Sequence, residues 1–229
     1  MSDASPTLEE TAAPGRRERP ETRTLRQCLR VFGRHGSPAV ISTLIAVTLA
    51  WRALLGAFEA RELLAFAAVA AWWPLQEWAA HRWILHLRPF TLGRLRIDPY
   101  FARRHRQHHA HPNRFRDVFL PARVVLGAWF VFAALLVPLL GQRAGVTALL
   151  AISCAALLYE WVHFSAHADR VPSTAWGRRV VKNHRLHHFL NEQHFFAFTV
   201  PQLDDWFDTG GDPSSVPRSA TVRSLGVEP

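Results

Sequence analysis

The segment HRQHHAH, residues 105 to 111, places four imidazoles within seven positions. The chain has 13 histidines and spends nearly all of them in bursts: His81 and His86 in HRWILH, His163 and His167 in HFSAH, and His184, His187, His188 and His194 in HRLHHFLNEQH, with His35 alone standing apart. Neutral imidazole is the commonest metal-ligating side chain, and residues at i, i+3 and i+4 share one face of a helix. His105, His108 and His109 have that spacing, as do His184, His187 and His188, while His163 and His167 lie at i, i+4. Each set can aim two or three nitrogens at one point. His81 and His86 are five apart, roughly 140° around an ideal helix, so they either face different metals or flank a local distortion. Ten such ligands exceed the coordination number of one ion, and the pattern predicts a two-metal site. The competing account, polar residues at a membrane interface, needs four groups to have acquired ligand spacing by coincidence. Imidazole suits zinc, copper, iron and nickel alike. No HExxH or zinc-finger spacing is present, and no GxSxG, P-loop or GxGxxG stands where it could work.

The elements that must position these histidines are apolar. Mean hydropathy is near zero in a chain of 229 residues, but it averages Arg-rich and Pro-rich segments with long apolar runs, a segregation that points to lipid. Four spans are expected against the ~20 residues needed to cross hydrocarbon: about Pro38 to Phe58, Arg61 to Ala80, Pro121 to Leu140 and Ala144 to Trp161. FEARE links the first pair and GQRAG the second, giving two hairpins. Pro74 predicts a kink in the second span. The long Arg-rich segments all fall on the side opposite those links, which makes that side the cytoplasm by the positive-inside rule. Every histidine burst then falls there too. The formal charge of +9 and pI near 11.1 are read as an orientation signal, since the arginines sit beside apolar spans and form no nucleic-acid-binding stripe. Residues 1–23 are expected to be a disordered tail, without the apolar region of a signal peptide. Residues 24–36 form an amphipathic helix with Leu25, Cys28, Leu29 and Phe32 on one face, either interfacial or a short core helix. Cys28 and Cys154 are too far apart in character for a disulfide framework or a CxxC site.

The order HRWILH, HRQHH, HFSAH, HRLHH resembles the membrane fatty acid hydroxylase and sterol desaturase superfamily, over about Glu77 to Thr209. The ending FFAFTVPQLDDWFDTG is similar too, with Asp204, Phe207 and Thr209 spaced as in the family, although Leu203 stands where a Trp often precedes the Asp. The resemblance implies an all-α integral membrane enzyme with four transmembrane helices and a cytoplasmic helical cap over a dimetal site. Its membrane domain would be 37–209, followed by a flexible tail, 210–229. It further implies two iron ions, with zinc able to take the same ligands, and oxygen as oxidant. The implied ligands are His81, His86, His105, His108, His109, His163, His167, His184, His187 and His188. The expected activity is hydroxylation of a fatty acyl chain or sterol-like lipid drawn from the bilayer, with electrons from a separate ferredoxin-like, flavin or haem protein. Desaturation and carotenoid hydroxylation share that chemistry. A metal transporter ranks lower, because no histidine interrupts a span near the midplane, and a scaffold with incidental histidines ranks lower still. The expected location is a bacterial inner membrane, with both termini and the metal site cytoplasmic and the oligomeric state open.

Beside the ligands, Glu77 and Glu160 either orient a histidine through its spare ring N–H or simply end the apolar spans. Asp204 acts likewise or closes a turn. His111 and His194 either support a ligand ring or handle protons beside it, or are solvated or capping residues. Trp72, Trp73, Trp78 and Trp83 predict an interfacial aromatic belt.

Overall fold

Residues 20–227 are described by a computed structural model; most of the tail expected to be disordered, 1–19, lies outside that range. Helix α1, Leu25–Gly33, starts at a capping box in which Thr24 Oγ1 accepts from the Gln27 amide and the Gln27 side chain accepts from the Thr24 amide. It buries Cys28, Val31 and Phe32 against Phe115, Phe119 and Phe164. Leu25 and Leu29, expected on the same face as Cys28, are exposed instead.

Four long helices follow the expected spans closely: α2 (Gly36–Leu54), α3 (Ala60–Ala79), α6 (Ala122–Leu140) and α7 (Gln142–His167). Helix α3 continues into a π-helical turn, Ala80–Leu85. Between α3 and α6 lie α4 (Tyr100–Ala110) and α5 (Phe115–Val118), and after α7 come α8 (Ala175–Phe189) and α9 (Gln202–Trp206). The molecule is mostly helical, with one departure. Strands β1 (Phe90–Leu92) and β2 (Leu95–Ile97) form an antiparallel hairpin whose two-residue turn has Gly93 at φ 61°, the conformation such tight turns require.

Among the described residues, three helical stretches are long and apolar enough to cross a membrane: Gly36–Leu54, Phe115–Leu140 and Gln142–His167. None of the apolar window in Phe115–Leu140 is buried within the protein, so its side chains need lipid or another apolar cover. Helix α3, the second expected span, is not one of these stretches, since polar residues at both ends, Glu62, Gln76 and Glu77 among them, keep it less apolar than the other three. It nevertheless packs lengthwise on α7, with Val69 against Ala148, Ala151 and Ile152.

One end of this bundle is tied by charges. Glu62, fully buried, accepts from Arg52 Nη2 at 2.7 Å, the Glu59 amide at 2.8 Å and Thr147 Oγ1 at 2.6 Å. Arg143 bonds the Leu55 carbonyl at 2.9 Å and pairs with Glu59. These contacts gather the end of α2 and the starts of α3 and α7, so the opposite ends of α3 and α7, which carry histidines, lie together. Gly145 lets α6 and α7 approach: a Cβ there would meet the Leu136 carbonyl oxygen and Val137 Cα at 2.6 Å.

Helix propensity alone would make Gly145→Ala stabilising by about 1 kcal/mol. The close approach reverses that sign, and the variant is expected to melt below the wild type in detergent; an equal or higher Tm would contradict the packing described.

Candidate metal centre

The ten histidines at ligand spacing converge at the ends of α3 and α7. They form two groups, His81, His86, His105, His109 and His187, and His108, His163, His167, His184 and His188, whose donor atoms within each group lie inside 4.8 Å of one another. The helical spacings explain the division. On α4, His105 and His109 share a face and enter the first group while His108 turns to the second; on α8, His184 and His188 enter the second while His187 joins the first. His163 and His167 occupy the last turn of α7. His81 and His86 could not meet on an α-helix, and the π-helical turn brings them into one group, since its i→i+5 winding places the sixth residue over the first. A distortion of this kind is one of the two outcomes the five-residue spacing allowed.

The nitrogens face one another at hydrogen-bond distance, with too few ring protons to serve every contact. His105 Nε2 lies 3.2 Å from His81 Nε2, 3.2 Å from His86 Nε2 and 3.1 Å from His109 Nε2. His109 and His187 Nε2 are 3.2 Å apart, and His163–His108 and His167–His184 Nε2 pairs are each 3.0 Å apart. One ring proton cannot serve three neighbours. His109 Nδ1 donates to the Val222 carbonyl at 2.8 Å and His187 Nδ1 to the His194 carbonyl at 2.7 Å. A carbonyl only accepts, so in the neutral rings both Nε2 atoms carry lone pairs, and those lone pairs point at each other.

The rings are neutral because burial, followed by the neighbouring imidazoles, holds His105, His109 and His188 well below the usual range, and burial brings His187 down to about 4. Both nitrogens of His188 are buried without a hydrogen-bond partner, a cost of about 1–3 kcal/mol per group if nothing binds them. A transition-metal ion resolves these conflicts together. With metal–nitrogen bonds of about 2.0–2.1 Å, ligands at right angles stand about 3 Å apart. Five imidazoles per group, without thiolate or carboxylate, suit such ions and not calcium or magnesium.

Backbone carbonyls orient three of the rings. His81 Nδ1 donates to the Phe196 carbonyl at 2.7 Å, alongside the His109 and His187 bonds. The loop 195–199 is fastened for this task. Asp204 accepts from the Phe196 amide at 2.9 Å, the Ala197 amide and Thr209 Oγ1 at 2.8 Å. Thr209 in turn accepts from Trp78 Nε1 at 3.0 Å, and Phe207 packs on Trp78. Glu77 accepts from the Thr199 hydroxyl at 2.6 Å. Phe198, fully buried, packs on His81, His163 and His184.

The neighbouring residues divide between the alternatives the sequence left open. The hydrogen bonds of Glu77 run to Thr199 and Trp73, and that of Glu160 to the Leu120 amide, so neither carboxylate bonds directly to a histidine ring among the described residues. Burial raises the Asp204 carboxyl to about 6, and Asp204 acts on the His81 ring only through the loop. His194 reaches a ligand through its carbonyl, with its ring on Gly210 at 3.1 Å. His111 caps α4 and is exposed. Trp78 is a buried bolt, while Trp72 and Trp83 are exposed. The segment from residue 210, expected as a flexible tail, returns over the site: the Ser219 amide donates to the Leu190 carbonyl at 2.9 Å, Val222 holds His109, and Leu225 is buried. A small pocket of about 50 Å³ opens on both groups through His105, His108 and His163, with Tyr159, Arg104 and Leu120 among its walls. Leu120 also bounds an apolar cavity of about 130 Å³ running between α2, α3, α6 and α7 past Trp73, Phe132 and Ile152.

Residues 66–209 match the fatty acid hydroxylase family. The chain is 26% identical over 140 residues to fatty acid 2-hydroxylase of Homo sapiens, and 29% identical over 143 residues to that of Rattus norvegicus. Each match covers 60% of this chain and 37% of the relative's length. No solved structure matches the chain significantly.

Two outcomes follow from this geometry. A histidine depressed in the folded state binds fewer protons than in the unfolded chain between the two pKa values, so stability rises with pH across that window. Thermal stability should hold above the ordinary value of 6.5 and fall from there towards about 4, the His187 value; a flat profile from neutral to that acidity would contradict burial of neutral rings. Deleting residues 220–229 removes the Val222 carbonyl and should weaken metal binding about 10–100-fold, measured by competition with a chelator. Unchanged affinity would mean that this carbonyl does not orient His109.

Proposed function

The chain belongs to the fatty acid hydroxylase family, and from that premise we propose that it is a membrane-bound di-iron oxygenase that hydroxylates a lipid with molecular oxygen and external electrons. The observation that carries this reading is the pair of five-histidine groups opening on one shared pocket with an apolar cavity behind it. One iron ion would be held by each group. Iron and oxygen supply the oxidising power for C–H cleavage, with the balance R–H + O2 + 2 e⁻ + 2 H⁺ giving R–OH and water.

The protein's part is placement. Leu120, shared by pocket and cavity, lets an acyl chain run from the helices towards His108 and His163. Arg104 and Tyr100 line the same pocket, which favours a lipid whose polar end stays near the histidines, and so oxidation close to that end. The curated relatives' name, fatty acid 2-hydroxylase, agrees with this position. Phe198 and the 195–199 loop close the site on another side and exclude water.

In this reading α3 is the fourth span. Its 20 residues are about 30 Å long, and Glu62 is neutralised by Arg52 at one end. The histidines then sit at the cytoplasmic face of an inner membrane, and a separate electron-transfer protein delivers reducing equivalents.

Expression in a host without the activity, followed by mass spectrometry of total lipids, should show an acyl lipid heavier by one oxygen. The product should vanish in His188→Ala. Lipids unchanged by the wild type, or lighter by two hydrogens, would contradict hydroxylation.

A further inference from the structure

Helix α8 has two chemically opposite faces. His184, His187 and His188 point inward towards the ends of α3 and α7, whereas Arg178, Lys182, Arg185 and Phe189 are all exposed. Their spacing, i, i+4, i+7 and i+11, makes one stripe along the outside of the helix. The stripe forms one wall of a groove of about 650 Å³, completed by Val171 and by Arg218 of the C-terminal segment. Among the described residues no carboxylate lines that groove. Arg178, Arg185 and Arg218 donate to backbone carbonyls of Ser173, of Ala166 and Ala168, and of Phe189 respectively, and so are held in place with their charge uncompensated. Lys182 forms no hydrogen bond or close ion pair among the described residues, and Asp212 is the carboxylate near enough to interact with its charge. Arg223 adds a further cation, stacked 5.0 Å from the Phe189 ring.

This surface is the width of one helix, about 10–12 Å, from the histidine groups. At its end the ring of Phe189 is 6.3 Å from that of His188. Because the inward face meets the histidines of α3 and α7, the stripe looks away from the apolar helices. An anionic, partly apolar protein surface fits a concave site with this charge and an exposed aromatic floor.

We propose that the outer groove of α8 is the docking site for a small acidic one-electron carrier protein, which passes its electron across α8 to the histidine-held metals. The proposal rests on the oxygenase reading, since that reaction needs two electrons per turnover. Each docking event would oxidise the carrier by one electron and reduce the centre by one.

The test uses the full chain in nanodiscs of phosphatidylcholine and an acidic [2Fe–2S] plant-type ferredoxin as the probe. Wild type should bind it with an affinity that falls about tenfold or more as salt rises from about 20 to about 200 mM. Arg178→Glu combined with Lys182→Glu should weaken binding by about tenfold or more and slow ferredoxin-driven reduction of the centre to match, while reduction by dithionite stays unchanged. Lys182→Glu alone, at an exposed side chain that makes no hydrogen bond among the described residues, should weaken binding in the same direction and guards against misfolding of the double variant. Equal ferredoxin binding by wild type and both variants would overturn the proposal, as would no binding by the wild type. So would a charge-dependent loss of binding to phosphatidylglycerol vesicles with ferredoxin binding intact, which would assign the groove to lipid. A centre that dithionite reduces but that never oxidises lipid would sink the oxygenase reading and leave the docking result standing.

Discussion

Ten converging imidazoles, nine of them buried, are a constraint the rest of the molecule must satisfy. The bonds from His109 and His187 to carbonyls leave two Nε2 lone pairs 3.2 Å apart, and His188 has no hydrogen-bond partner for either nitrogen. An apolar core would never select such an arrangement, because each unsatisfied group costs free energy that a water-filled or charge-paired alternative would recover. Cations between the rings remove the cost. In the reading proposed here they also supply the reactivity, so the same atoms that threaten the fold are those that carry its function.

Each remaining element can be understood as holding those rings. The charged clamp of Arg52, Glu62, Thr147, Arg143 and Glu59 fixes the far end of the helices, and with it the register at which α3 and α7 deliver His81, His163 and His167. The π-helical turn delivers His86. Glu77, Asp204, Trp78, Phe207 and Thr209 fasten one loop, and that loop presents the Phe196 carbonyl to His81. The family-like ending DDWFDT thus acts at a distance of two bonds from the rings, which is why its carboxylate sits beside the backbone and not beside a histidine.

Much of this was legible in the sequence, for identifiable reasons. Histidines at i, i+3 and i+4 declare both a helix and a face, and all ten converge. Long apolar runs declare their own boundaries, so α2, α6 and α7 lie close to where hydropathy places them. Helix α3 lies close to its expected place too, but the way its carboxylates are met could not be read, because Glu62 bonds Arg52 and Thr147 and Glu77 bonds Thr199 across the fold. Backbone carbonyls have no residue signature, so the roles of Val222, His194 and Phe196 could not be read. The Ser-, Pro- and Gly-containing end looks like a tail by composition, yet Val216 and Leu225 give it two buried anchors. The five-residue gap between His81 and His86 did carry a signal, because an undistorted helix cannot satisfy it.

The central claim is that each five-histidine group holds one metal ion through nitrogen. Metal analysis of the purified chain combined with X-ray absorption at the bound metal's edge addresses it directly. The account predicts two equivalents per chain and a first shell dominated by nitrogen, with loss of metal in His109→Ala and His188→Ala. A chain that folds and binds no metal, or a shell built mainly of oxygen or sulfur, would contradict it.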